Sequence, residues 1–122
     1  MTGKLPKPST GQRAEDLALE FLCRQGLRLI ERNYRCRYGE IDLILEDGCA
    51  LVFVEVRFRA HARFGGALES VDRRKQAKLL ATAAHFLQQK RLNRPARFDV
   101  AALSPSSAGL DVTWIKDAFR AG

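Results

Sequence analysis

Three carboxylates and an arginine stand inside two stretches that otherwise read as apolar β-strands. Glu40 and Asp42 lie in Gly39-Glu40-Ile41-Asp42-Leu43-Ile44-Leu45-Glu46, and Glu55 and Arg57 lie in the run from Cys49 to Arg59. An unpaired carboxylate costs several kcal/mol to desolvate in such surroundings, so an acid placed there neutralises, finds a cation or binds a metal. Asp47-Gly48 between the two runs is the strongest short-range hairpin signal, because a type I′ turn needs positive φ at both central residues. With Asp47 and Gly48 in those positions, Glu46 faces Cys49, Ile44 faces Leu51, Asp42 faces Phe53 and Glu40 faces Glu55. Opposed residues share a face and side chains alternate. Glu40, Asp42, Glu55 and Arg57 therefore project to one side, and Ile41, Leu43, Leu45, Val52, Val54, Val56 and Phe58 to the other.

Asp42 and Glu55 become diagonal neighbours in this register, roughly 7 Å apart at the backbone, a gap that two side chains can close onto one ion. Magnesium takes hard oxygen ligands and keeps several waters, so two carboxylates and a substrate phosphate suffice for it. The chemistry expected of the face is metal-assisted reaction at phosphate. The bland alternative is a set of structural ion pairs, with Arg57 or Arg59 neutralising Glu55. A slip of one residue in the turn would put Asp42 and Glu55 on opposite faces and remove the argument.

The elements that must hold these residues fit one small domain of 122 residues, large enough for a single core. Residues 1–9 read as a flexible basic leader and 10–122 as the folded unit. Ser9 and Gln12 form a capping-box signal, and Ala14, Leu17, Ala18, Phe21 and Leu22 recur at helical spacing until Gly26, giving a helix from about Thr10 to Gln25. Glu15 lies on its flank, either at the edge of the core or solvated near the helix N-terminus. Leu27 to Asn33 begins a strand that continues to Tyr38. After the hairpin comes a loop, Arg59 to Ala67, whose cations and Gly65-Gly66 suit close approach to a phosphate backbone, as Arg59 and Arg63 would make it.

A second helix begins near Ser70 or Asp72 and runs to about Gln89. Arg73, Arg74 and Lys75 crowd its first turn, where each cation opposes the helix dipole by about 0.3 to 1 kcal/mol. Lys75 shares the inward stripe of Leu79, Ala83 and Phe86, which points it toward the sheet unless it snorkels over apolar surface. Arg97 to Leu103 reads as a strand, Ser104 to Gly109 as a flexible turn, and Leu110 to Ile115 as a last strand. The order α-β-β-β-α-β-β predicts an α/β fold with a mixed sheet of about five strands, since Leu51 to Val56 wants cover on both faces.

A formal charge of +7 favours polyanions, either nucleic acid or an acidic membrane surface. No apolar run approaches the length of a membrane span and the N-terminus lacks a signal-like hydrophobic centre, so a cytoplasmic protein with no membrane partner is expected. Cys23, Cys36 and Cys49 are odd in number with no C-x-x-C spacing, and read as reduced, partly buried residues. His61 and His85 are too isolated to pair as ligands with them, and His85 reads as a satisfied core histidine.

Glu15, Gly39-Glu40-Ile41-Asp42-Leu43-Ile44, Val52-Phe53-Val54-Glu55-Val56-Arg57-x-Arg59, Lys75 and Arg97-Phe98-Asp99-Val100 together resemble the YraN-like family of uncharacterised bacterial proteins over nearly the whole chain after the leader. That family in turn resembles the PD-(D/E)xK nuclease superfamily, particularly archaeal Holliday-junction resolvases. The resemblance implies a restriction-endonuclease-like core and a Mg2+- or Mn2+-dependent endonuclease acting on DNA, with branched DNA as one substrate. Carried over, Asp42 and Glu55 would be the metal-binding acids, Glu15 a helix acid acting through water, and Arg57 would occupy the position of the catalytic lysine. Arginine there keeps the cation and binds phosphate bidentately but cannot serve as a base, which makes Lys75 the candidate to compensate. Arg59, Arg63, Arg73, Arg74 and Lys75 would contact nucleic acid. A homodimer would suit symmetric cutting of a junction. Two other readings compete: a nucleic-acid-binding module that keeps the nuclease fold without catalysis, and a domain that offers its basic face to an acidic protein.

Overall fold

The computed structural model describes residues 10–58 and 71–120. The leader, the Arg59 to Ala67 loop and Ser70 lie outside the described residues. The order is α1 (Thr10–Arg24), β1 (Arg28–Cys36), β2 (Gly39–Asp47), β3 (Ala50–Phe58), α2 (Arg73–Gln89), β4 (Ala96–Ser106) and β5 (Gly109–Phe119). The five strands make one sheet in sequence order, antiparallel throughout except for the parallel pair β3 and β4 that α2 bridges. The expected α/β architecture and element order are those observed. No described helix is long and apolar enough to cross a membrane.

β3 is the axis of the core. Leu51, Val52, Phe53, Val54 and Glu55 are all buried, as a strand covered on both faces requires. On one face Ala14, Ala18 and Leu22 of α1 pack on Leu43, Leu45, Val52, Val54, Ala101 and Leu103. On the other, Leu79, Ala83 and Phe86 of α2 pack on Ile41, Ile44, Leu51, Phe53 and Val100. α1 stops where Gly26 adopts φ 99°. The amides of Gly26 and Leu27 then close onto the carbonyls of Cys23 and Leu22, the two bonds of a Schellman cap. α2 opens on Asp72, whose side chain accepts the Lys75 amide, an N-cap that offsets part of the cost of the cations behind it.

The hairpin differs from expectation in its turn. Asp47 pairs with Ala50, so the two central residues are Gly48 and Cys49, and Gly48 takes the positive φ, 62°, as glycine does at the first position of a type II′ turn. Asp47 remains in the strand because its carboxylate binds Arg97 Nη2 at 3.0 Å, and Arg94 clasps the turn through the carbonyl of Cys49 at 3.0 Å and the Glu46 carboxylate at 2.9 Å. The register moves by two residues. An even shift preserves which side chains share a face.

Within β2 strict alternation fails at one place. Ile41, expected beside Leu43 and Leu45, packs in the α2 cluster instead. Between the pairs Arg32↔Leu43 and Tyr34↔Ile41 stands Asn33 with φ 53°, a left-handed residue that breaks the regular pleat of β1 beside Asp42. The predicted flexible turn from Ser104 to Gly109 shrinks to Ser107 and Ala108. Pro105 lies within β4 opposite Leu110 of β5, beyond the last described pair with β3, Phe58↔Leu103. Cys23 and Cys49 are exposed rather than partly buried, Cys36 is half-buried, and all three are free thiols.

Candidate active site

The paired ladder of β2 and β3 ends at Leu43↔Val54. One step further in the same register Asp42 comes across from Glu55, directly opposed rather than diagonal. Asp42 takes over where the ladder stops: its carboxylate accepts the Val56 amide at 2.8 Å, so a side chain replaces the strand carbonyl as partner. Burial, then the charge of Glu55 and a hydrogen bond between the two carboxyls, outweigh that amide and push Asp42 up to about 7. Asp42 therefore keeps its proton far above the ordinary carboxylate range. Two acids facing one another in a low-dielectric site cannot both ionise without a counter-charge.

Glu55 is only 5% exposed and has two cations on it. Arg57, two residues on and so on the same face of β3, brings Nη2 to 3.0 Å, and Lys75, from the first turn of α2, brings Nζ to 3.5 Å. Arg57 Nε is buried without a hydrogen-bond partner among the described residues. On the α1 side Glu15 is half-buried; burial and then the negative charge of Asp42 raise its pKa, with Arg32 and Asn33 acting in the opposite sense. Arg32 spans Glu15 at 3.4 Å and Asp16 at 2.8 Å. A cleft of about 570 Å³ opens beside this group, lined by Gln12, Glu15, Arg32, Asn33 and Arg35.

Asp42, Glu55, Arg57 and Lys75 are thus brought together, with Glu15 at the margin. Glu40, expected on the same face, is exposed and bound to Arg35 at 2.8 Å. Arg73 and Arg74 are exposed on the turn that carries Lys75, while Arg59 and Arg63 lie outside the described residues. Among the described residues no group of three or more His, Cys, Asp or Glu converges as a metal site. The donor set on offer is two carboxylates, one of which, Asp42, is held protonated toward neutrality by burial and by the charge of the other. Such a pair fits a Mg2+ or Mn2+ ion that completes its shell with water and phosphate oxygens.

One residue's role was missed in the sequence. Asp99 is fully buried and accepts from Arg97 Nε at 3.1 Å, Trp114 Nε1 at 2.9 Å and the Asp117 amide at 2.9 Å. It ties β5 to β4 where their register shifts. An acid between Phe98 and Val100 carried the same signal as Asp42, but here every nearby group is a donor, and the acid is structural. His85, read as a core histidine, is half-buried and shares a hydrogen bond of 2.5 Å with Tyr34 Oη.

Against known proteins, residues 14–103 match the uncharacterised protein family UPF0102. The chain is 54% identical over 115 residues to a UPF0102 protein of Methylococcus capsulatus, an overlap covering 94% of each chain. It is 48% identical over 120 residues to one of Nitrosococcus oceani, covering 93% of this chain and 97% of that one. Against one of Stutzerimonas stutzeri the identity is 52% over 114 residues, 92% and 95% of the two chains.

Proposed function

The chain belongs to the uncharacterised protein family UPF0102, the YraN-like family that its motifs resemble, and from that premise we propose that it is a Mg2+- or Mn2+-dependent endonuclease acting on DNA. One observation carries the reading: the opposed carboxyls of Asp42 and Glu55, of which Asp42 is pushed up to about 7 and Glu55 has Arg57 and Lys75 within 3.5 Å. Asp42 and Glu55 would hold the metal. Such an ion would supply an acidified water and polarise a phosphate oxygen.

The remaining roles fall to the chain's own groups. Lys75 and Arg57 present N–H donors to the non-bridging oxygens of the scissile phosphate, where negative charge grows. Glu15, with its raised proton affinity, accepts a hydrogen bond from water at the margin of the site. Arg73 and Arg74, with Arg59 and Arg63, bind the backbone of the flanking strand and give the affinity its salt dependence. Four-way junctions would be cut by a homodimer, one site per strand.

The test is incubation of the purified protein with branched, flapped and single-stranded DNA in magnesium or manganese. Cleavage is expected with either metal and is lost in Asp42→Asn and Glu55→Gln. No cleavage of any substrate, together with no metal binding by calorimetry, refutes the proposal. A second reading, a DNA-binding module without catalysis, is favoured by Arg57 sitting 3.0 Å from Glu55 as a fixed counter-charge. It predicts salt-dependent DNA binding with no turnover.

A further inference from the structure

Ten residues along α2 from Lys75, about 15 Å at 1.5 Å per residue, stands a second cluster of side chains that the proposed chemistry leaves unused. His85 is fixed from the inside by its hydrogen bond to Tyr34, whose ring meets the buried Phe86 ring edge-on at 5.1 Å. From the outside the ring of Tyr38 meets His85 at a centroid distance of 6.1 Å. Tyr38 belongs to the two-residue turn between β1 and β2 and remains 41% exposed. Arg37 lies over the same ring, its guanidinium carbon 4.9 Å from the centroid, and its Nη2 donates to Tyr38 Oη at 2.7 Å. A cleft of about 490 Å³ runs from this ring along α2 to Gln88 and Gln89, and none of the residues lining it is acidic.

An exposed tyrosine in a turn ordinarily rotates freely. This one is held by Arg37, which lies over the ring and donates to its hydroxyl, and by an imidazole anchored to the core, so the ring and a positive charge beside it are in place before any ligand arrives. Preorganisation of that kind lowers the cost of binding. A flat π-system carrying a phosphate is the ligand that uses all of it: the base stacks on the ring, Arg37 neutralises the phosphate, and the two glutamine amides can donate to or accept from a base edge. Bases in a duplex are already stacked on both faces, so only an unpaired one can lie here.

We propose that Tyr38, flanked by Arg37 and His85, is a stacking shelf for an unpaired base of DNA, which leads the single-stranded arm of a substrate along α2 toward Asp42. The inference rests on the endonuclease reading and names its substrate class, DNA with an unpaired segment next to the cleaved bond. Tyr38 is four residues from Asp42, about 13 Å in extended chain, so shelf and acids can engage one strand together.

The probe is a short fluorescently labelled single-stranded oligonucleotide, followed by anisotropy in chelator so that no cleavage runs, with a blunt duplex of the same sequence as control. Tyr38→Ala is expected to weaken single-strand binding about 5- to 150-fold, the range for loss of one stacked base, while Tyr38→Phe stays within about twofold of the parent. Arg37→Ala, at a second exposed position, should move affinity in the same direction. The shelf is overturned if Tyr38→Ala stays within about twofold of the parent, if it weakens duplex and single strand alike, or if the parent does not bind the oligonucleotide. The two readings separate cleanly. Single-strand binding that depends on Tyr38, without cleavage or metal binding in magnesium or manganese, sinks the endonuclease and keeps the shelf; metal-dependent cleavage with Tyr38 irrelevant to affinity removes the shelf alone.

Discussion

Asp42→Asn should make the protein more stable at alkaline pH and change it little in acid. An acid whose pKa is higher in the folded chain binds its proton more tightly there, so its contribution is full below the ordinary value, 3.8, and is lost as pH rises to about 7. Over the two pH units below 7, at no more than 1.36 kcal/mol each, roughly 2 kcal/mol is lost. Asparagine keeps an oxygen for the Val56 amide, bonded at 2.8 Å in the parent, and its NH2 group donates to Glu55 as the protonated acid does. It carries no charge to desolvate at any pH. Urea unfolding of parent and variant in chelator, at intervals from pH 5 to pH 8, isolates the effect, because titrations common to both chains cancel. The stability difference should grow by about 2 to 3 kcal/mol in favour of the variant, and saturating magnesium should return most of it to the parent alone. A difference constant across pH to within about 0.5 kcal/mol would show that Asp42 ionises without strain and that the pair is no metal trap.

Three substitutions test the neighbouring groups. Lys75→Ala should lower metal-dependent cleavage by about 10² to 10³, the usual effect of removing one donor to developing charge; retention of a third of the rate would move the catalytic cation elsewhere. Arg57→Lys should leave cleavage within about tenfold, because Lys75 already places an ammonium 3.5 Å from Glu55, and a larger gain would mean that the arginine suppresses activity. Asp99→Ala should cost about 3 to 5 kcal/mol in thermal or urea unfolding, since it takes the shared acceptor from Arg97 Nε, Trp114 Nε1 and the Asp117 amide. A loss below about 1 kcal/mol would mean that Arg97 is satisfied by Asp47 alone.

What could be read from the chain beforehand was governed by periodicity. Ala14, Ala18 and Leu22 announce the inward face of α1, and the alternation on either side of Asp47-Gly48 announces which hairpin residues share a side. That parity survived a wrong turn because the error was of two residues. The turn itself was not legible: Arg94 and Arg97, nearly fifty positions away, decide that Asp47 stays in the strand, and no local signal encodes them. The break at Asp42 was hidden for a similar reason, since it depends on a left-handed Asn33 in the adjacent strand. Asp99 shows the limit of the rule that an acid in an apolar strand means chemistry. The rule finds the burial but not the neighbours. Donors make Asp99 a structural hub, whereas another carboxyl makes Asp42 a strained one.

Cys49, an exposed thiol at the tip of the hairpin, gives the protein a built-in point of attachment. Five steps of extended strand, about 17 Å, separate Asp42 from the turn that holds it, so a dye or spin label placed there lies well clear of the acids. With Cys23 and Cys36 replaced, one reporter rides on the hairpin that carries Asp42. Its distance to a labelled DNA end then reads the direction in which a strand threads the site.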